Sequence, residues 1–156
     1  MPDFEFRRVR PGDFAYCWPI YSEAMAPLTR GWNEAAQRHA IEQALGEEGA
    51  SILVVEDSDC GWLHVTETRF DIHLGHLYLE SARRNHGLGT RFLHWMSDRA
   101  RRKAKDLTLD VLAGNRARAL YERMGFVKTG ASGDKLRMQL GAQPQAPGAP
   151  PRDERT

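Results

Sequence analysis

The stretch RRNHGLGTRFLHWM, residues 83–96, lies between two different hydrophobic patterns. Before it, IHLGHLYL (72–79) has the pattern of an extended strand, and after it apolar side chains recur at helical spacing. Gly87 and Gly89 stand where the strand gives way to the helix. Glycines let the backbone approach a ligand there, and the free N–H groups at the positive end of a helix attract an anion. The cationic or titratable side chains nearby are Arg83, Arg84, His86 and Arg91.

Two familiar phosphate-binding loops do not fit this turn. A Walker loop requires Lys-Ser or Lys-Thr, and none follows at the required spacing. A dinucleotide-binding turn requires a third small residue, where this chain continues with Arg91 and Phe92. On its own, the pattern fits either a pyrophosphate-binding turn or an ordinary turn that uses glycine for its φ angles.

A second segment decides between these readings. The stretch AGNRARALYERMGF (113–126) directly follows the strand-like LTLDVL (107–112). In their order and separation, the strand LYL, the loop RRNHGLGT, LTLDVL and this segment together resemble the GCN5-related N-acetyltransferases (GNAT), which move acetyl from acetyl-CoA to an amine. The resemblance covers roughly residues 4–140 and is strongest over 77–126. RGWNEAAQ (30–37) also resembles a GWDEA-type opening of one group of these enzymes, with Asn33 in place of the usual acid.

The resemblance implies an α/β fold, a single GNAT domain over residues 1–140 whose mixed central sheet is splayed and flanked by helices. It implies that the pantetheine arm of acetyl-CoA pairs with the backbone near Leu77 and Leu79. Asn115 would bind the arm from the other side, and Arg118 and Tyr121 complete that part of the cofactor site. The pyrophosphate would be held by Arg84, Asn85, His86, Gly87, Leu88, Gly89 and Thr90.

The elements before this region can be bounded by their capping residues. Asp13 is expected to cap a helix that runs to about Met25, with Pro19 as a kink or break. Asn33 is expected to cap a second helix. Three consecutive strands are expected at SILVVE (51–56), GWLHVTET (61–68) and DIHLGHLYL (71–79), and KLRMQL (135–140) is expected to be the last strand. Residues 141–156 hold four of the eight prolines and no large apolar side chain, so we expect a disordered tail outside the domain.

Acetyl transfer requires a neutral amine and a protonated leaving thiolate. A tyrosine hydroxyl stays protonated at neutral pH, and the resemblance makes Tyr121 the general acid in preference to a merely packed aromatic ring. His73 shares one strand face with Leu77 and Leu79 and is the candidate base; a surface histidine is the alternative. Glu67 and Glu80 are rival bases.

Trp32 and Trp62 are candidates for the acceptor pocket, because family substrates enter beside the two N-terminal helices. Large aromatic side chains more often belong to a core, so that alternative stays open. His73 and His76 are not a metal pair, since their odd spacing puts them on opposite faces of a strand. No CxxC pattern is present either, and we expect no metal.

The overall charge of +1 demands neither nucleic acid nor a membrane as partner, and the basic run 99–105 is a solvated helix face. The charged N-terminus predicts no signal peptide, and the cysteine usage predicts a cytoplasmic protein. The acceptor is a small-molecule or peptide amine, and a homodimer is retained as a candidate assembly. Neither cysteine lies in the motifs, which favours direct attack in a ternary complex. The alternative is a non-catalytic acyl-CoA-binding or sensor module of the same fold.

Overall fold

The computed structural model describes residues 4–84 and 86–141. Strands and helices alternate along these residues, with short 3₁₀ turns between some of them. In chain order they are β1 (Phe4–Arg8), α1 (Phe14–Met25), α2 (Glu34–Leu45), β2 (Ala50–Val55), β3 (Ser58–Glu67), β4 (Asp71–Leu79), α3 (Leu88–Arg102), β5 (Asp106–Leu112), α4 (Ala117–Arg123), β6 (Val127–Ser132) and β7 (Lys135–Leu140).

The strands form a seven-stranded sheet in the order β1-β2-β3-β4-β5-β7-β6. Pairing is antiparallel between β1 and β2, β2 and β3, β5 and β7, and β6 and β7. It is parallel between β4 and β5, from Asp71 opposite Asp106 to Leu74 opposite Leu109. This mixed sheet with helices confirms the predicted α/β class.

The chain divides into two compact units. The first contains residues up to Val65 together with Gly75–Phe92, and the second contains Thr66–Leu74 and the residues from Leu93 onwards. None of the helices in residues 4–84 and 86–141 combines the length and apolar character needed to cross a bilayer.

The first unit packs α1 and α2 against β2 and β3. Period-3.6 patterning buries one side of each helix, and the strand side chains that face them are large and apolar. The buried cluster consists of Cys17, Trp18, Tyr21, Ile41, Leu45, Ile52 and Trp62.

Arg7 of β1 ties the start of the chain to two other elements. Its guanidinium lies 2.9 Å from an Asp13 oxygen and 2.8 Å from an Asp59 oxygen. These hydrogen bonds hold the pKa values of both carboxyls below their ordinary range. The Asp13 carboxylate also accepts the N–H of Arg10 at 2.7 Å.

The helix starts differ from the sequence expectations in one case and agree in another. Asn33 caps α2, since its side-chain oxygen accepts the N–H of Ala36 at 2.9 Å. Asp13 makes no side-chain hydrogen bond to α1, because its carboxylate is used by Arg7 and Arg10. The helix also continues through Pro19, whose neighbours in α1 are anchored in the core by burial.

The β2–β3 hairpin turns on two residues, Glu56 and Asp57, since Val55 pairs with Ser58. Their φ angles are 52° and 64°, in the left-handed region that non-glycine residues rarely adopt. The sequence predicts that the first of these strands ends at Glu56 and that the next begins at Gly61, whereas β3 already begins at Ser58.

The second unit is built on β5 and β7. Leu107, Leu109 and Met138 are almost fully buried, and Leu93 and Met96 contribute the apolar side of α3. Two polar side chains, Asp106 and Thr108, are buried in the same strand.

Candidate functional site

The turn between β4 and α3 has the geometry of an anion site. Gly87 adopts φ 77°, and of the described residues a Cβ placed there would meet only the Arg91 guanidinium, at 3.9 Å. The first amide that bonds inside the turn of α3 is that of Arg91, which donates to the Gly87 carbonyl at 3.0 Å. The amides of residues 88–90 have no carbonyl of their own helix to donate to. A helix of this length therefore presents N–H groups that have no partner in the helix itself at its positive end, next to the open space at Gly87 and a cation.

The side chains of this turn differ in burial and in the contacts that they make. Leu88 is buried and anchors the helix start, while His86 is exposed. Arg84 reaches back along the chain: its Nε donates to the Leu79 carbonyl at 3.1 Å, and its Nη1 lies 3.4 Å from Glu23 of α1. Arg84 thus fixes the loop to the end of β4. The predicted contribution of Asn85 falls outside the described residues.

The end of β4 carries a histidine and a tyrosine on the face that is turned toward α1. His76 Nδ1 lies 2.9 Å from the Tyr78 hydroxyl. Tyr78 packs edge-on against Tyr21 of α1, with ring centroids 5.2 Å apart. The rings of His76 and Tyr78 both contact Trp62. Sequence reasoning missed this pair, although the period of two places His76 and Tyr78 on one face of the strand and His73 on the other.

Gly61 of β3 packs closely against the same end of β4. A Cβ at this position would lie 2.2 Å from the Tyr78 carbonyl oxygen, so β3 can approach the end of β4 only with glycine here. The backbones of Gly61 and Tyr78 are therefore closely packed.

The two tryptophans predicted for the acceptor pocket lie in the aromatic cluster of the first unit. Trp62 is fully buried, and its indole N–H donates to the Cys17 carbonyl at 3.2 Å. Trp32 is partly buried and packs against Trp18 and Tyr21 at about 6 Å between centroids. Trp62 is a core residue, whereas Trp32 keeps an exposed edge.

The second unit holds the predicted general acid. Tyr121 of α4 is partly buried beside Phe126, with centroids 5.8 Å apart, and burial raises the pKa of its phenol. Just before α4, the side-chain oxygen of Asn115 accepts the N–H of Ala117 at 2.9 Å. Arg118 forms a hydrogen bond with Glu122 one turn further along, at 3.3 Å.

His73 lies in a chain of polar contacts across three strands of the second unit. Its Nδ1 lies 2.7 Å from the Thr108 hydroxyl, and its Nε2 lies 3.4 Å from Asp110. Burial lowers the pKa of His73 in spite of the nearby carboxylate. Burial alone would raise the pKa of Asp110, but Arg137 and His73 hold it below its ordinary value. Both ring nitrogens of His73 therefore face protein groups.

The two rival carboxylates have different surroundings. Glu67 pairs with Lys105 and Lys103, and these hydrogen bonds lower its pKa, which weakens it as a base at neutral pH. Glu80 follows β4 directly and is partly buried. It faces the phenol of Tyr16, whose pKa is raised by burial and by this carboxylate.

The loop of residues 84–90, the end of β4 and both tryptophans thus belong to the first unit, and His73, Asn115, Arg118 and Tyr121 belong to the second. A family model described as "Acetyltransferase (GNAT) domain" matches residues 18–138, which is most of the chain. The chain belongs to the GNAT family.

Solved structures agree with this membership at the level of fold. A PaiA N-acetyltransferase from Thermoplasma acidophilum, solved in complex with coenzyme A, has a TM-score of 0.68 and 14% identity, covering 89% of this chain and 99% of its own. The apo form of YjaB from Escherichia coli has a TM-score of 0.67 and 19% identity, covering 90% and 97%. An aminoglycoside 6'-acetyltransferase type Ii has a TM-score of 0.63 and 15% identity, covering 92% and 99%. No curated protein sequence matches this GNAT chain.

Proposed function

We propose that this GNAT protein is an acetyl-CoA-dependent N-acetyltransferase that acts on a primary amine of a small molecule or peptide. The observation that carries the proposal is the glycine turn at the start of α3, where Gly87 at φ 77° leaves open space in front of the first amides of the helix. The complex of a structurally similar PaiA N-acetyltransferase with coenzyme A supports the same ligand class.

The residues present fit acetyl-CoA. The amides of residues 88–90 and the Arg91 guanidinium would take the pyrophosphate, and a side chain at Gly87 would occupy that space. The backbone of Leu77 and Leu79 would pair with the pantetheine arm as a strand does. The side-chain nitrogen of Asn115 would donate to the arm, since its oxygen already accepts the Ala117 amide.

Acetyl-CoA supplies an activated acetyl thioester when it is bound. The acceptor must lose a proton before its nitrogen can attack, and the departing thiolate must gain one. Tyr121 is assigned the second task, because burial raises the pKa of its phenol and keeps it protonated throughout the neutral range. Attack is direct, since Cys17 and Cys60 are both buried thiols with raised pKa values and are unsuited as nucleophiles. Two reduced, buried cysteines also fit the cytoplasmic location that we propose.

The decisive binding experiment is a thermal shift with coenzyme A. A ligand that binds only the folded state raises Tm by mass action, so the parent should be stabilised. Gly87→Leu should lose this shift. The matched control is Gly133→Leu, because Gly133 also has a positive φ, 58°, and open surroundings but lies in the β6–β7 turn. Gly133→Leu should lower Tm yet keep the coenzyme A shift; equal binding by all three proteins would refute the assigned turn.

Transfer itself is measured as thiol release from acetyl-CoA with a panel of primary amines. Release that depends on an amine supports the enzyme. Coenzyme A binding without release for any amine would instead indicate the non-catalytic acyl-CoA-binding alternative.

A further inference from the structure

We propose that Tyr78 and His76 form the proton-relay pair that neutralises the acceptor ammonium. The inference rests on the proposed acetyl transfer and adds to it the groups that take the first proton. No sequence motif indicates these two residues; the assignment comes from their contact.

The pair is built into the end of β4. Its two side chains lie on one face of the strand, 2.9 Å apart from Nδ1 to the phenol oxygen. Tyr78 stands between Leu77 and Leu79, the residues whose backbone is assigned to the pantetheine arm. The relay therefore begins at the residue that lies between the two assigned to the pantetheine arm.

Neighbouring aromatic rings hold both side chains in place. The His76 ring lies on Trp62 at 5.1 Å between centroids, and Tyr78 is held edge-on by Tyr21. Among the described residues, Tyr21 of α1 and His64 of β3 are titratable groups whose rings face His76. His64 is itself engaged, with Nε2 at 2.8 Å from Glu47.

The other candidate bases are less suited to the task. Both nitrogens of His73 face protein groups, Thr108 and Asp110. Glu67 is held as an ion by two lysines. Glu80 directly follows Leu79, the last residue of β4, and lies beside the phenol of Tyr16.

The relay moves one proton from the acceptor ammonium to His76. In the neutral ring that carries its proton on Nε2, Nδ1 accepts the hydrogen bond that the Tyr78 hydroxyl donates. The acceptor ammonium gives one proton to the Tyr78 oxygen while Tyr78 passes its own proton to Nδ1. The products are a neutral amine, an unchanged phenol and an imidazolium at His76, which returns its proton to water before the next turnover. The amine nitrogen then forms the C–N bond, the C–S bond breaks, and Tyr121 protonates the sulfur and regains the proton that the new amide nitrogen releases.

The kinetic test compares three variants by the pH profile of kcat/KM. The parent should show an acidic limb from a histidine. Tyr78→Phe keeps the packed ring but removes the hydroxyl, and should lower kcat by about 10²-fold while leaving coenzyme A affinity unchanged. His76→Gln should abolish the limb. The matched control is Tyr21→Phe, which removes a phenol hydroxyl from the same cluster, one that contacts Gln37 at 2.5 Å instead of a histidine, and it should keep the limb.

A second readout needs no turnover. Nitrogen-15 NMR of the apo protein reports the tautomer of neutral His76, and the proposal requires the proton on Nε2 in the parent and loss of this preference in Tyr78→Phe. A proton on Nδ1 would overturn the relay, because Tyr78 could then not pass its proton on. An intact acidic limb in His76→Gln would also overturn it, and loss of the limb in His73→Gln would transfer the role to His73. A parent that binds coenzyme A but releases no thiol would refute the proposed transferase, and the relay with it.

Discussion

Tyr121 offers the sharpest test of chemistry at the scale of one residue. Tyr121→Phe preserves the ring that packs on Phe126 and removes only the hydroxyl. Coenzyme A affinity should therefore stay at the parent's value, while kcat falls by about 10²-fold if the phenol protonates the thiolate. Steady-state kinetics and coenzyme A titration measure the two effects separately. Unchanged turnover would leave Tyr121 with a packing role.

His73 predicts a pH dependence of stability. Because burial lowers its pKa in the folded protein, the unfolded chain binds this proton more readily than the native one below about pH 6.5. The free energy of unfolding should thus decrease as the pH falls from 6.5 toward the lowered pKa, and level off below it. Urea denaturation across that range should show a smaller decrease for His73→Gln. His94→Gln, at an exposed position of α3, is the control and should follow the parent.

Sequence motifs identified some site residues but not the residues that contact them in the fold. Tyr121 and Gly87 were found because local chain geometry fixes them: a motif after a strand, and glycine at a strand-to-helix turn. The contacts of His73 with Thr108 and of His76 with Tyr78 depend on strand pairing and rotamers, which no local pattern encodes. The bases named from sequence therefore remain predictions, and the structure adds a pair that the sequence reading passed over.

At the scale of the element, the β2–β3 turn stores conformational strain. Glu56 and Asp57 both adopt positive φ, as a type I′ hairpin turn requires and as asparagine and glycine tolerate best. The double change Glu56→Asn and Asp57→Gly should raise the free energy of unfolding by roughly 0.5–1 kcal/mol. Gly133→Ala in the β6–β7 turn should have the opposite sign, since Gly133 is at φ 58°. Chemical denaturation measures both; a loss of stability in the double variant would contradict the strain.

Element types were largely predictable, and their ends were less so. Strands β4 and β7 agree with the prediction to the residue, because alternating apolar side chains and flanking turn residues bound them closely. Pro19 was read as a kink or break, yet α1 continues through it because burial on one helix face outweighs one lost hydrogen bond. The start of β3 was missed because the turn before it lacks glycine and asparagine.

At the scale of the whole molecule, the C-terminal segment is expected to be dispensable. Residues 141–156 are rich in proline and contain no large apolar side chain, so they have little surface to bury. A chain that ends at residue 140 should retain the Tm of the parent and its coenzyme A shift. Differential scanning fluorimetry checks both values. A large loss of Tm would show that the segment docks on the domain or on another subunit.

The contacts of Arg7 with Asp13 and Asp59 bear on the order in which the chain folds. Arg7 and Asp59 are 52 residues apart, so the pairing of β1 closes a loop that contains α1 and α2, whereas the β2–β3 hairpin closes over two residues. Loop-closure entropy therefore delays β1 relative to the hairpin and places its contacts late on the pathway. Phe4→Leu, which weakens an edge-on contact with Phe92, should accelerate unfolding more than it slows refolding in stopped-flow experiments. The edge strand β1 thus pairs after the remainder of its unit has formed, and its contacts slow the unfolding of the native state.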